Sequence, residues 1–375
     1  MNSRGKVKRV FPGGNTPMGF HSFFDYIIWG DSVRRYIIKG GPGAGKSTFM
    51  TGIETHMLDL GFDVVEYRCP TDPDSLDAIS IPELGIALLD GTSPHTVDPR
   101  NPGITDDIIW LGQYWDDTIL AKYREEILQL NKRGARMFKS AYNHLREARV
   151  AYDEWRSYAE DDFDEGEYNS VLGKVMVDFF KGYEDLSPRA AHHTHIFATA
   201  ISGKGVYNYT DCLVEPSHKV YAFSGRPGSG VGRAIGRLAR QAEELGLSTQ
   251  QFHSPIDIDE LDILILPHLN RVLVNVNQIL GNDNSLLQDR SFETHIDFDD
   301  YLKDKNKTVL EFADDMEAAK KRFYHLIDRA VDFISRAREV HGQLERYYIE
   351  AMDFDGVNAK REEVLREILR LSEIS

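Results

Sequence analysis

Cysteine is scarce in this chain of 375 residues, which has only Cys69 and Cys212. Two cysteines exclude a disulfide framework and a cysteine-rich zinc site, so a reducing compartment is expected. The sequence also lacks an apolar run near the ~18 residues needed to span a bilayer. Its first residues are charged and run into Phe11-Pro12-Gly13-Gly14, unlike a secretory signal. These features predict a cytoplasmic protein without a membrane partner.

Positive charge is in deficit as well. Lys and Arg total 44 against 60 Asp and Glu, which gives a formal net charge of −16. A polyanionic surface repels phosphate backbones, and this argues against nucleic acid as a partner. Apolar residues at 41% and charged residues at 28% are typical of a folded protein, and the length favours two domains.

The two halves of the chain resemble each other in an ungapped alignment that pairs Tyr36 with Tyr221. From Tyr36 to Leu88, 15 of 53 positions carry the same residue as their counterparts, whereas about three would be expected by chance. The sequence therefore predicts a duplication. The identical pairs include Gly40/Gly225, Pro42/Pro227, Gly43/Gly228, Gly45/Gly230, Leu60/Leu245, Pro70/Pro255, Asp77/Asp262 and Pro82/Pro267.

Each half also contains a segment with apolar residues at alternating spacings of three and four, and the two segments keep the same alignment. This spacing predicts one apolar seam along a helix that packs on a partner helix. Each half is thus expected to be an α/β core followed by a long helical arm, and the arms are candidate surfaces for a protein partner. The seams comprise Phe138, Ala141, Leu145, Ala148, Tyr152, Trp155 and Ala159, and Phe323, Leu326, Ala330, Phe333, Ala337, Val340 and Leu344.

The predicted fold class is α/β, with two tandem three-layer cores built on mainly parallel sheets. The first repeat is predicted at 1–188, with its core at about 8–105 and its arm at about 106–188. The second repeat is predicted at 189–375, with its core at about 189–290 and its arm at about 291–375.

A glycine-rich segment stands between a predicted buried strand, Arg35–Ile38, and a predicted amphipathic helix with Met50, Ile53 and Met57 on one face. We call this segment the first glycine loop. It consists of Gly40, Gly41, Pro42, Gly43, Ala44, Gly45, Lys46, Ser47 and Thr48.

Each part of this loop suits the binding of phosphate. Glycines let consecutive backbone N–H groups converge on phosphate oxygens, and the helix N-terminus adds partial positive charge. The pattern G-x-x-x-x-G-K-S/T between a strand and a helix resembles the P-loop NTPase superfamily. The resemblance implies that Lys46 contacts the β- and γ-phosphates of ATP and that the Ser47 hydroxyl is a ligand of Mg²⁺.

Such a site also needs an acidic residue at the end of a neighbouring buried strand. Ile86–Asp90 has four apolar residues followed by an aspartate, which predicts Asp90 as that residue. Gly91 stands where many ATPases of the superfamily have a glutamate that polarises the attacking water. The segment Asp90–His95 is therefore more similar to kinase- or GTPase-type members and is a candidate lining for an acceptor site.

The second glycine loop, Gly225–Arg233, keeps the glycines and the proline but lacks the reactive side chains. Val231 replaces the lysine, Asn275 replaces the aspartate, and a glycine replaces the serine. These changes predict a scaffold copy without catalysis. The alternative is a regulatory site in which Arg226 and Arg233 supply the missing positive charge, because glycine nests bind anions without a lysine.

Three aspartates, Asp72, Asp74 and Asp77, follow a predicted strand, and the aligned positions of the second half are aspartates as well. Because the altered second repeat keeps them, they are expected to cap helices and turns rather than to take part in chemistry.

The chain as a whole resembles a bacterial tandem-repeat ATPase or nucleotide-kinase-like protein with one intact and one degenerate loop. We expect Mg²⁺-dependent hydrolysis of ATP at the first repeat, coupled to a conformational change. Lys46 and Asp90 are the predicted catalytic residues, and Ser47 and Asp90 the predicted Mg²⁺ ligands. ATP is favoured over GTP because Asn131–Gly134 lacks the aspartate of the guanine-reading motif. Two alternatives are a nucleotide or small-molecule kinase, and a non-catalytic nucleotide-dependent interaction module.

Overall fold

The computed structural model describes residues 4–27, 33–93, 95–187, 190–280, 287, 290–302 and 307–373. The predicted boundary between the repeats, at 188 and 189, lies outside these residues. The strands of the first half are β1 (Val7–Val10), β2 (Gly13–Thr16), β3 (Gly19–Ser22), β4 (Arg34–Lys39), β5 (Val64–Arg68), β6 (Leu76–Ile81), β7 (Ile86–Asp90) and β8 (Asp106–Trp110). Its helices are α1 (Lys46–Asp59), α2 (Asp117–Lys122), α3 (Arg124–Glu160) and α4 (Glu165–Phe179).

The second half repeats this order of elements. Its strands are β9 (His193–Ile196), β10 (Thr199–Ser202), β11 (Gly205–Asn208), β12 (Lys219–Ser224), β13 (Thr249–His253), β14 (Leu261–Leu266), β15 (Arg271–Asn275) and β16 (Thr294–Asp297). Its helices are α5 (Thr210–Leu213), α6 (Val231–Glu244), α7 (Lys307–Glu311), α8 (Ala313–Ala351) and α9 (Phe354–Ser372). Within the described ranges, no helix combines the length and the apolar character that crossing a membrane requires.

Each half builds one six-stranded sheet, and the two sheets have the same strand order. The first is β1-β5-β6-β7-β4-β8 and the second is β9-β13-β14-β15-β12-β16. Of these strands only β6 and β14 run antiparallel to their neighbours. From β4 to β7, every element starts at the residue that the sequence alignment pairs with the start of its counterpart, as Lys46 of α1 pairs with Val231 of α6. The prediction of a duplicated α/β fold with mainly parallel sheets, each followed by a long helix, is confirmed.

The layers differ from the predicted three-layer cores. One face of the first sheet packs on α1 and α9, where Met50 and Ile368 are fully buried. The other face, which includes Ile37 and Leu89, shares one buried cluster with Val272 and other residues of the second sheet. Each sheet is therefore covered by helices on one face and by the other repeat on the opposite face. Burying the two inner faces in one shared core removes both from water without a further helical layer.

The two long arm helices, α3 and α8, pack on each other in antiparallel orientation. Isolated bridges join Trp115 to Met352 and Phe163 to Leu302, so the start of one arm lies beside the end of the other. The predicted seams meet along this contact, and the partner helix of each arm is thus the other arm of the same chain. Buried residues of the contact include Ala141, Leu145, Ala148, Tyr152, Phe323 and Ala330.

The alignment of the two repeats changes in the arms. Asp164 caps α4 and Asp353 caps α9, so these two residues are counterparts. The alignment expected from the seams would instead pair Asp164 with Ile349, and it is therefore wrong by four positions. Four positions are about one helical turn, so the apolar face stays in phase and the sequence pattern matches in either register.

Each arm ends on the core of the other repeat. Helix α4, from the first half, packs on α6 and the second sheet, where Leu172 and Phe179 are fully buried. Helix α9, from the second half, packs on α1, where Val364 and Ile368 are buried. The repeats have thus exchanged their last helices, and each core is completed by a helix that the other half encodes.

This exchange predicts crossed effects of two matched substitutions. Ile368→Ala should cost about 2–5 kcal/mol of stability through the cavity it leaves, and should speed hydrogen exchange first in β4, β7 and α1. Phe179→Ala should act first on β12, β15 and α6. Hydrogen exchange followed by mass spectrometry resolves the two regions, and Val177→Ala, at an exposed position of α4, is the control. If each substitution speeds hydrogen exchange only in its own half of the chain, the assignment of α4 and α9 to the core of the other repeat is wrong.

Candidate functional site

The first glycine loop joins the carboxyl end of β4 to the amino end of α1. Helix α1 begins at Lys46, and Gly45 precedes it in the left-handed region at a φ of 84°. Gly43 also has a positive φ, of 69°. Glycine adopts these angles without strain because it has no Cβ. The loop therefore turns the chain so that it surrounds the first N–H groups of α1, which lack helical partners and attract anions.

The Lys46 ammonium lies within this loop. Its Nζ donates hydrogen bonds of 2.9 Å to the carbonyl oxygens of Gly40 and Gly41, and it lies 3.5 Å from Asp90 Oδ2. The side chain is 13% exposed. Its positive charge is thus held at the mouth of the loop by two neutral carbonyl groups and one carboxylate, contacts that an anionic ligand can replace.

Asp90 lies beside the first glycine loop, and Ser47 is part of it. Strand β7 is the direct neighbour of β4, and Asp90 is its last residue. Its Oδ1 accepts the N–H of Thr92 at 2.8 Å, and its Oδ2 faces Lys46. Ser47 Oγ accepts the N–H of Leu76 at 3.1 Å. A carboxylate oxygen and a hydroxyl oxygen are therefore available together at one edge of the sheet.

These two oxygens suit Mg²⁺ rather than a metal held by protein alone. The part of the chain that the structure describes has no group of three His, Cys, Asp or Glu side chains that could hold a metal ion. Mg²⁺ usually takes one or two protein ligands and completes its shell with water and phosphate oxygens. The donor set of Ser47 and Asp90 fits that mode of binding.

Asp77 is a further acidic residue at the site, and the sequence interpretation missed it. Ala78 of β6 pairs with Leu89 of β7, which brings the preceding Asp77 beside Asp90. Asp77 is 5% exposed, and its Oδ2 has no hydrogen-bond partner. Burial, together with the charge of Asp90, raises the pKa of Asp77 to about 8. The expectation that Asp77 is a capping residue is therefore wrong.

The signal for Asp77 lies in strand pairing. An antiparallel β6 next to β7 places the start of one strand beside the end of the other. The spacing of the two segments along the chain allows this hairpin, and a short turn at Pro82–Leu84 joins them.

Asp72 and its counterpart Asp257 form ion pairs with the arms. Asp72 pairs with Arg338 of α8 at 2.8 Å and with Lys204 at 3.0 Å. Asp257 pairs with Arg149 of α3 at 2.8 Å. These contacts differ from the capping role expected for Asp72, and both sets of ion pairs join the two repeats.

The segment after Asp90 is tied to the first glycine loop. Thr92 Oγ donates to the Gly40 carbonyl at 3.1 Å, and Lys39 Nζ donates to the Gly91 carbonyl at 2.8 Å. His95 is stacked on Phe24 with ring centroids 4.7 Å apart, and its Nε2 lies 3.6 Å from Asp77 Oδ2. Burial lowers the pKa of His95 to about 4. Pro94 lies outside the described residues.

The second glycine loop keeps the backbone of the first but not its chemistry. Gly228 and Gly230 have positive φ angles of 89° and 96°, yet the buried Val231 stands at the lysine position. Arg226 is bound by Asp299 through both its backbone N–H and its guanidinium, at 2.8 and 2.9 Å. The charge that could replace the lysine is thus already neutralised.

A cavity of about 300 Å³ adjoins the second glycine loop. Its lining includes Arg226, Arg233 and Arg156, but also Glu160, Glu165, Glu260 and Asp262. Arg233 forms a two-fold ion pair with Glu165, and Arg156 contacts Glu160 and Glu260. All three guanidiniums are thus already paired with carboxylates of the chain, which disfavours a polyphosphate.

The exchanged arms cover both loops. A Cβ on Gly41 would lie 2.6 Å from Tyr348 Cε1, and one on Gly43 would lie 2.8 Å from the Glu345 carbonyl oxygen, both in α8. In the second loop, Gly228 contacts the backbone of Arg156 in α3. Each loop is therefore packed against the arm helix that starts in the other half, and its conformation is linked to the position of that arm.

No family model matches this chain, and no match occurs among the curated proteins or the solved structures.

Asp262, which lines the cavity at the second glycine loop, should make the stability of the native protein depend on pH differently from that of Asp262→Asn. Burial and the nearby Glu260 charge raise the pKa of Asp262 from 3.8 to about 7. Its contribution to stability is therefore present below pH 4 and is lost as pH rises through about 7. Asp262→Asn removes this loss, so the stability of the variant relative to the native protein should increase between pH 4 and pH 8. Urea unfolding at several pH values measures it, and parallel pH curves for the two proteins would contradict the buried, protonated Asp262.

Proposed function

We propose that the first repeat binds ATP with Mg²⁺ in the first glycine loop and hydrolyses it, and that the arms move with this reaction. The observation that carries the proposal is the convergence of Lys46 Nζ, Asp90 Oδ2 and the N-terminal end of α1 at one edge of the sheet. A cation, an acid and a set of free N–H groups at one place are the combination that phosphoryl transfer uses.

Each residue of the site has a distinct role in this proposal. The backbone of the first glycine loop binds the β-phosphate, and Lys46 leaves the carbonyls of Gly40 and Gly41 to neutralise the β- and γ-phosphates. Ser47 and Asp90 would hold Mg²⁺, which when bound supplies charge that offsets the negative charge of the phosphates.

Asp77 can take over the role of the glutamate that is missing after Asp90. Gly91 follows Asp90 and offers no side chain, so Asp77 is the neighbouring carboxyl group that can orient the attacking water. Its free Oδ2 and its burial suit a group whose hydrogen bonds form only when water and nucleotide are present.

The packing of α8 on the first glycine loop supports a link to movement. When Lys46 exchanges its carbonyl partners for phosphate, Gly40 and Gly41 lose two hydrogen bonds to its ammonium. Gly41 and Gly43 touch Tyr348 and Glu345 of α8 without space for a side chain. A change in the loop is therefore passed to the arm, and along the α3–α8 contact to the second repeat.

The two alternative functions have less support. A kinase would need an acceptor site after Asp90, but Thr92 is bonded to Gly40 and His95 is stacked on Phe24. A non-catalytic module would not need Asp77 and Asp90 side by side. Both alternatives remain predictions that product analysis with a panel of small-molecule acceptors tests.

Lys46→Ala should weaken the binding of labelled ATP by about 10- to 100-fold, because hydrogen bonds to a charged partner are lost. The matched control is Val231→Ala, at the equivalent position of the second glycine loop, which should leave ATP affinity unchanged. Titrations of the three proteins decide this, and equal affinities of native protein and Lys46→Ala would remove the site assignment.

Asp77→Asn should retain ATP binding but lower single-turnover hydrolysis by at least about 100-fold, because an amide orients water without accepting its proton. Asp262→Asn, the counterpart in the second repeat, should hydrolyse ATP like the native protein. Hydrolysis by Asp77→Asn at the native rate would show that another group orients the water.

A further inference from the structure

An aromatic cluster lies beside the first glycine loop, and the proposed phosphate chemistry gives it no role. Trp110 is the last residue of β8 and pairs with Lys39, the residue before Gly40. It is 55% exposed although its indole is among the largest apolar groups of the chain. Neighbouring strands are ~4.8 Å apart, so the backbone of Trp110 lies beside the residue that leads into the loop.

Two further rings connect Trp110 to the loop. Trp115 meets Trp110 edge-on at 6.4 Å between ring centroids, and Tyr348 meets Trp115 at 5.8 Å. Tyr348 is the residue that packs on Gly41. Gly112 lies between the two indoles, where a Cβ would be within 3 Å of both. Trp115 thus packs on Trp110 and links it to Tyr348, while the Trp110 side chain stays more than half exposed.

The second repeat has none of these rings at the equivalent positions. Asp297 ends β16 opposite Ser224, as Trp110 ends β8 opposite Lys39. Leu302 follows the next short helical turn in the place of Trp115. Ala159 stands in the place of Tyr348 in the alignment of the arms that pairs their two capping aspartates. The aromatic cluster therefore occurs with the loop that keeps lysine, serine and aspartate, and is absent from the described counterpart that has lost them.

A cluster that accompanies only the intact loop points to a role in binding a ligand, because both repeats have the same strand order and the same arrangement of arms. The phosphates occupy the first glycine loop in the function proposed above, on which this inference rests. The part of the nucleotide that extends out of the loop is its base, a flat aromatic group. Stacking of a base on an exposed indole is favourable and tolerates different bases, with larger purine rings gaining more contact.

We propose that Trp110 is the platform on which the base of the bound nucleotide stacks, and that the site prefers purine nucleoside triphosphates to pyrimidine ones. Trp115 and Tyr348 are positioning residues that hold the indole at the loop. Tyr348 also belongs to α8, so base binding and phosphate binding both act on the same arm.

The test compares ATP and CTP with inorganic tripolyphosphate, which has the phosphates but no base. Affinities are measured by titration calorimetry for the native protein, Trp110→Ala, Trp110→Phe and Lys46→Ala. The matched control is Ile108→Ala, because Ile108 is on the same face of β8 and 47% exposed. Quenching of tryptophan fluorescence on nucleotide addition is a second readout.

The native protein should bind ATP more tightly than CTP, and CTP more tightly than tripolyphosphate. Trp110→Ala should weaken ATP binding by about tenfold and leave tripolyphosphate binding unchanged. Trp110→Phe should retain most of the ATP affinity, and Ile108→Ala all of it. ATP should quench native fluorescence, and tripolyphosphate should not.

Two results would overturn the platform while leaving the phosphate site in place. One is equal affinity of the native protein for ATP and tripolyphosphate, with both affinities reduced in Lys46→Ala. The other is an unchanged ratio of these affinities in Trp110→Ala. Failure of the native protein to bind either ligand would instead overturn the proposed function, and the platform with it.

Discussion

The antiparallel packing of α3 on α8 sets most of the arrangement around the first glycine loop. It carries α9 to the first core and α4 to the second, so each sheet obtains its second helix from the other half. It also places Tyr348 and Glu345 against Gly41 and Gly43. Without this contact, the outer face of each sheet would keep only one covering helix, α1 or α6, and each loop would lack its cover. Each core thus contains a helix from the other half, and each loop is in direct contact with an arm that starts in the other half.

Much of the fold follows from the sequence because duplication is a long-range signal. The segment from Tyr36 to Leu88 matches a second segment that starts at Tyr221, and this match identifies strand, loop and helix together. In the structure the matched elements start at the residues that the alignment pairs. The sequence also indicates the first glycine loop and Asp90, because the spacing of glycines and an apolar run before an aspartate are local patterns. Features that are local in the chain are therefore the ones that the sequence predicts well.

The features that the sequence does not reveal depend on contacts between distant segments. The shared inner core replaces the predicted third layer because an apolar strand face gives no sign of what covers it. The exchange of α4 and α9 is hidden because a seam with a spacing of 3.5 residues fits either partner and either register. Asp77 looks structural in the sequence because the second repeat keeps an aspartate, Asp262, at the same position. Across the hairpin, however, Asp77 lies beside Asp90, whereas Asp262 lies beside Asn275. No sequence pattern indicates a role for Trp110, because its place beside the first glycine loop depends on the pairing of β8 with β4.

The two repeats have the same order of elements but differ in the chemistry of their loops, so the chain should have one nucleotide site rather than two. Equilibrium dialysis of the native protein with labelled ATP, in Mg²⁺ and in chelator, measures this number directly. We expect one Mg²⁺-dependent site per chain, which Lys46→Ala abolishes at the same ligand concentration and Val231→Ala preserves. Two equivalent Mg²⁺-dependent sites per chain, or one site that survives in Lys46→Ala, would contradict this assignment.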